Sequence, residues 1–266
     1  MMPMVSAGSI VLMSVNAVVG FAVPVCLAWY LVRKHRARLS TILIGAGTFI
    51  VFALVLESLV HQLVLKGPHG GAILGNKLWF ALYGGLAAGI FEETGRFLSM
   101  KFLLKGEPAK PLPALAYGAG HGGVEMLVIF GITMISNLVL SVLINSGQSA
   151  ILFANVPEEA AVQVQAQLDQ LQTTGTGVWL IGLWERFAAL VLHLGLSVLV
   201  WTAVRKGGKW LWLFPAAILL HAIVDAGVVL MQKTVGMVPL ELILTAEAIA
   251  VGAMAFMVAK RALSEE

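Results

Sequence analysis

Glu92 and Glu93 stand side by side, with Arg96 one turn on, in the run Phe91-Glu92-Glu93-Thr94-Gly95-Arg96. The surrounding residues, 78–104, are otherwise apolar enough to cross a bilayer. A charge at that depth costs roughly 2.5–3.5 kcal/mol on insertion scales, so such residues are rare and mark function. Three other apolar stretches carry ionisable groups: His121 with Glu125, Glu185 and Arg186 followed by His193 and Ser197, and His221 with Asp225. The i, i+4 pairs among them share a helix face. Carboxylates and imidazoles in a dry site suit hydrolysis. A desolvated carboxylate acts as general base toward water, an imidazole donates to the tetrahedral oxyanion, and a neighbouring acid fixes the ring's tautomer.

On these residues the roles divide as follows. Glu92 is the base, Glu93 shares the proton load, and Arg96 holds the pair. His193 and His221 stabilise the oxyanion or position water, with Asp225 orienting His221. His121 and Glu125 complete the polar wall, and Glu185 and Ser197 are supporting members. Glu185 lies near the end of its span, where Arg186 pairs with it, and Ser197 reads as a helix-packing hydroxyl. No serine or cysteine occupies a nucleophile elbow and no HExxH occurs, which disfavours serine, cysteine and zincin mechanisms. Zinc on His193, His221 and Glu92 is chemically reasonable, but no spacing requires it, and no cofactor is expected.

The elements that position these groups follow from composition. Of 266 residues, 59% are hydrophobic and 12% charged, and mean hydropathy is +0.92. Soluble domains run about 45–50% apolar and about 25% charged, so the chain reads as an all-α integral membrane protein. Spans of about 20 apolar residues fall at 5–32, 41–65, 78–104, 114–144, 178–204, 210–231 and 237–259, in one transmembrane domain over 1–266 whose catalytic core is 78–231. With the first loop inside, twelve lysines and arginines lie on that side, against Lys66, Lys77 and Lys233 on the other. This positive-inside bias puts the N-terminus outside and the C-terminus in the cytoplasm. The net charge of +3 follows this topology, so the basic residues do not point to nucleic acid. The partners expected are the lipid bilayer of a prokaryotic plasma membrane and a membrane-associated peptide or protein substrate. Cys26, the one cysteine, lies within a span and excludes a disulfide framework. The first apolar stretch lacks a basic leader and reads as a span.

Depth connects the four ionisable spans. Counted from the cytoplasmic ends at 1.5 Å per residue, Glu92, Glu125, His193 and His221 all lie about 17 Å in, near mid-bilayer. His121 is about one turn shallower and Asp225 about one turn deeper. Four helices thus present acid and imidazole groups at one level.

Elsewhere the signals are plainer. The long external connection 145–177 contains a helix start at Asn155-Val156-Pro157-Glu158-Glu159. Its stripe of Val164, Leu168 and Leu171 reads as an interfacial helix resting on the bilayer, or as a lid. Glu57 and His61 resemble the other pairs but read as peripheral. Glu241 and Glu247 have no role in this scheme. The glycines inside spans suit close helix packing.

Four motifs together resemble the YhfC family: Phe91–Arg96, Tyr117-Gly118-Ala119-Gly120-His121-Gly122-Gly123-Val124-Glu125, Trp184-Glu185-Arg186 through His193 to Ser197, and His221-Ala222-Ile223-Val224-Asp225. That family is described as intramembrane proteases of metallo- or glutamic type. It is similar to the PrsW proteases and, more distantly, to the CAAX-prenyl and bacteriocin-processing endopeptidases. The resemblance implies that Glu92 and Glu93 match the paired glutamates, with a glutamate activating water. It places His193 on the third-motif histidine, His221 and Asp225 on the final His-acid pair, and Glu125 on the second-motif glutamate of the PrsW branch. Arg96 follows Glu93 by three residues where the CAAX pattern has four. The glutamate-and-water mechanism fits these residues without a metal.

The expectation is an intramembrane endopeptidase. The competing expectation is a proton-coupled transporter or channel using the same Glu/His cluster as a relay, which should carry a second, related half; no internal repeat stands out.

Overall fold

A computed structural model describes residues 4–154 and 156–263, apart from the side chains of Glu158 and Glu159. Among these residues every regular element is helical. α1 (Ala7–His35) is a 29-residue helix that tolerates Pro24 and ends on Arg33, Lys34 and His35. α2 (Leu39–Phe49) continues through a π-helical stretch (Ile50–Glu57) into α3 (Ser58–Leu65). After the short α4 (Gly70–Leu74), Asn76 starts α5 (Lys77–Phe102), its side-chain oxygen accepting from the backbone N–H groups of Leu78 and Trp79 at 2.9 and 3.1 Å. This is the N-cap bond that satisfies otherwise orphaned donors. α6 opens on Pro111, whose missing N–H is harmless there. It runs to Glu125 and passes through a second π-helical stretch (Met126–Ile132) into α7 (Thr133–Asn145). α8 (Glu158–Thr173), α9 (Thr176–Lys206), α10 (Leu213–Met231) and α11 (Met237–Leu263) complete the chain.

Among the described residues, six stretches are long and apolar enough to cross a membrane: Ala7–His35, Leu39–Leu65, Pro111–Asn145, Thr176–Lys206, Gly208–Met231 and Met237–Leu263. They coincide with six of the seven expected spans. The seventh, α5, has the length at 26 residues but not the apolarity, because Glu92, Glu93 and Arg96 interrupt it. Val18, Trp29, Leu63, Ile223 and Met257 are each more than 60% exposed. Large apolar side chains displayed to this extent are at home against lipid, not water.

The chain divides into two compact units, and the divisions fall at Val23/Pro24, Glu125/Met126 and Arg186/Phe187. One unit takes the residues up to Val23 and Met126–Arg186. Its core joins Val5, Met13, Phe130, Met134 and Trp179 to Leu168 and Leu171. This corrects the interfacial reading of α8. Its stripe faces protein, since Leu168 and Leu171 are 3% and 4% exposed, and is not free to rest on a bilayer. The helix begins at Glu158, directly after Pro157; Asn155, expected to open it, lies outside the described residues.

The other unit takes Pro24–Glu125 and the residues from Phe187. Trp201, Leu196, Leu199, Tyr117 and Met100 form its core. Small residues bring its helices to backbone contact. A Cβ on Gly120 would stand 1.9 Å from the Ile42 carbonyl oxygen, and one on Gly45 would stand 2.1 Å from that of Tyr117. Gly85 and Gly89 hold α5 as tightly to Ala222 and Ile218 of α10. With little hydrophobic drive between helices in lipid, such close approach is what lets them pack. It also brings the polar faces of α5, α6 and α10 within hydrogen-bond reach.

Candidate active site

The second unit places Glu92, Glu93 and Arg96 (α5), His121 and Glu125 (α6), His193 (α9), and His221 and Asp225 (α10) in one buried cluster. Glu93, Arg96 and His121 are fully buried, and Glu92, His193 and His221 are at most 8% exposed. The three imidazoles form a row, with ring centroids 5.0 Å apart for His121 and His193 and 5.4 Å for His193 and His221.

The paired glutamates separate into two roles. Glu93 Oε1 accepts from Arg96 Nη1 and lies 2.9 Å from His221 Nδ1. It is the anchor of a buried ion pair. Glu92 points the other way: its Oε2 lies 2.8 Å from His121 Nε2 and 3.8 Å from His193 Nδ1.

Donor inventory fixes the tautomer of His193. Arg96 Nη2 lies 3.1 Å from His193 Nδ1, and a guanidinium only donates. Nδ1 therefore accepts, and the ring proton sits on Nε2, which is 2.5 Å from Glu125 Oε2. This leaves the His193 lone pair on the side that faces Glu92.

His221 has a carboxylate at each nitrogen, Glu93 at Nδ1 and Asp225 Oδ2 at 3.5 Å from Nε2. The nearer contact belongs to Glu93. Orientation of His221 thus comes chiefly from α5, where the sequence pointed to Asp225, whose side chain is 39% exposed.

Two expected supporting residues have partners of their own. Glu185 belongs to the other unit and is bonded to Arg186. Ser197 is fully buried and donates to the His193 carbonyl at 2.7 Å, a packing hydroxyl on its own helix. Glu57 moves the opposite way. It is 8% exposed, pairs with His61 Nε2 at 3.2 Å, and lies within electrostatic range of Glu92, His221 and Asp225. The peripheral reading of Glu57 is therefore corrected. The peripheral reading rested on His61 lying near the external end of its span, and depth alone does not register that Glu57 is turned inward at the end of a π-helical stretch.

The donor set was tested for a metal. One ligand atom each from Glu92, His121 and His193 lie within 4.8 Å of one another. Donors on a tetrahedral zinc at about 2.0–2.1 Å are about 3.3 Å apart, so the 2.8 and 3.8 Å separations bracket the required spacing. The outer shell fits as well. Glu125 on His193 Nε2 completes the carboxylate–histidine arrangement that orients metal ligands. Charge points the same way, since Glu92, Glu93, Glu125 and Asp225 surround the imidazoles with Arg96 as the one guanidinium among them. Protons or a cation must offset that excess at such depth. The donor types suit a divalent ion, which would take the His193 Nδ1 lone pair that Arg96 Nη2 holds in this structure, with His121 in the ligand position that sequence reading gave to His221. Depth counting missed His121 because it registers height and not rotation about the helix axis.

No solved structure matches the chain. A membrane protein of Bacillus subtilis (strain 168), described as "Uncharacterized membrane protein YhfC", is 38% identical over 232 residues, covering 86% of this chain and 88% of the relative. The pattern described as "YhfC intramembrane metalloprotease" matches residues 19–250, a range that includes every member of the Glu/His cluster. On both matches, the chain belongs to the YhfC intramembrane metalloprotease family.

Proposed function

We propose that the chain is an intramembrane endopeptidase that hydrolyses peptide bonds of membrane-associated substrates with water activated at Glu92, His121 and His193. The observation that carries this reading is the convergence on Glu92 Oε2 of two imidazoles from two other helices, at 2.8 and 3.8 Å, in a buried site. A carboxylate so placed accepts a proton from water and returns it to the leaving amine. His121 holds that carboxylate in place. His193 Nε2 lies beside Glu125 Oε2, and the groups left to donate to the developing oxyanion are His221, through Nε2, and the Arg96 guanidinium. Glu93 fixes both donors through one oxygen. A divalent ion held by Glu92, His121 and His193 would polarise the scissile carbonyl and lower the pKa of bound water.

The test is cleavage, in proteoliposomes, of quenched fluorescent peptides joined to a transmembrane anchor, with elemental analysis of the purified protein. Cleavage that is lost in folded Glu92→Gln and His193→Ala supports the reading. Full activity in those folded variants overturns it, as does proton flux through the liposomes with no cleavage, the result a transporter would give.

A further inference from the structure

Hydrolysis of a peptide bond consumes one water molecule, and the centre is buried among membrane-spanning helices. On the hydrolytic reading, water must therefore have a polar way in. The surroundings of the centre are unequal in this respect. Beside α5, a groove of about 460 Å³ is lined mainly by Ile44, Val51, Phe52, Leu98 and Phe102, and its two hydroxyls, Thr48 and Ser99, already donate to the Ile44 and Gly95 carbonyls. Toward the helix ends at Leu65, Lys77 and Met231 polar side chains are present instead, and Lys77 Nζ there donates to the Leu230 carbonyl at 2.7 Å.

We infer that Glu57, His61 and Tyr83, with Asp225, line the route by which water reaches the centre. Asp225 stands between His221 and the exposed end, with its side chain 39% exposed. Glu57 lies within electrostatic range of Asp225, His221 and Glu92. His61 Nε2 is 3.2 Å from Glu57 Oε1, its Nδ1 is 2.8 Å from the Tyr83 hydroxyl, and its side chain is 33% exposed. Tyr83 is nine residues before Glu92 on the same helix, about 13 Å at 1.5 Å per residue. The groups thus form a graded track, buried at Glu57 and opening at His61. Ionisable residues at membrane depth normally face a bundle interior or a water-filled path. The π-helical stretch Ile50–Glu57 gives a structural reason why Glu57 faces inward while Leu56 and Leu59 face out.

The experiment reads water access without turnover, so its result bears on the route whether or not a peptide is cut. Single cysteines are placed at Glu57, His61 and Tyr83 in a Cys26→Ser background, with Leu59→Cys as the lipid-facing control. Each protein in liposomes is treated with a charged methanethiosulfonate, which reacts with the hydrated thiolate. Labelling at least tenfold faster at 61 and 57 than at 59 is the expected result. Equal, slow labelling at 57, 61 and 59 in folded protein overturns the assignment. His61→Cys and Tyr83→Cys keep the test decisive if loss of the buried carboxylate at 57 prevents folding.

Discussion

A single oxygen, Glu93 Oε1, is shared between the Arg96 guanidinium and His221 Nδ1, joining α5 to α10 in a site with no measurable exposure of Glu93 or Arg96. That arrangement separates two adjacent glutamates that look interchangeable in the sequence. Removing one partner of a buried pair leaves the other charge uncompensated and costs about 3–5 kcal/mol. Glu93→Gln should therefore lower thermal stability in detergent markedly and reduce the yield of folded protein. Glu92→Gln, whose partners are neutral-capable imidazoles, should fold near wild-type stability. A Glu93→Gln protein as stable as wild type would refute the anchoring role.

Glu92→Gln is the complement. Loss of a positioned general base typically lowers rate by about 10²–10⁴-fold. The expected pattern is folded protein, retained peptide binding and a kcat reduced within that range. Because Glu92 belongs to the Glu92–His121–His193 donor set, the variant should also bind less zinc, measured by elemental analysis after equilibrium dialysis. His121→Ala should lose zinc similarly, whereas His221→Ala should not, since its near partner is Glu93 at 2.9 Å.

Glu125 tests the outer shell. Carboxylates that orient a metal-ligating histidine are worth about 10–100-fold in metal affinity or activity. Glu125→Gln keeps the shape and an oxygen able to accept, but removes the negative charge 2.5 Å from His193 Nε2. Its effect on kcat and on zinc affinity should fall between wild type and Glu92→Gln. An effect equal to that of Glu92→Gln would mean that Glu125 meets the reacting atoms itself.

How much of this was legible in the sequence depends on what each element asked of it. Apolar runs are set by bilayer thickness, and six of seven expected spans reappear as apolar helices, with α5 the exception its own charges create. Depth counting was enough to gather Glu92, Glu125, His193 and His221. It was not enough to rank His121 above His221 as a partner of Glu92, because rotation depends on the Gly45–Gly120 contact that docks α6 on α2. Glu57 was read as peripheral from the shallow depth of His61, which says nothing of the inward turn that Glu57 takes at the end of a π-helical stretch. The α8 stripe was ambiguous for another reason: an apolar face looks the same whether lipid or Phe130 and Trp179 cover it.

The glycine contacts lead to the last prediction. Gly120 adjoins His121, and a Cβ there would meet backbone, the Ile42 carbonyl oxygen at 1.9 Å, which no side-chain rotation relieves. Gly120→Ala must push α2 and α6 apart, and His121 moves with α6. Gly84 is on α5 with open space around it, so Gly84→Ala controls for the change of residue type and should be neutral. The expected outcome is a less stable Gly120→Ala protein whose residual folded fraction binds zinc weakly and cleaves slowly. A 1 Å misplacement of a catalytic group can cost about 10²-fold, so activity should fall further than the folded fraction. Activity that falls only in proportion to folded protein would show that the α2–α6 contact supports stability alone and does not position His121.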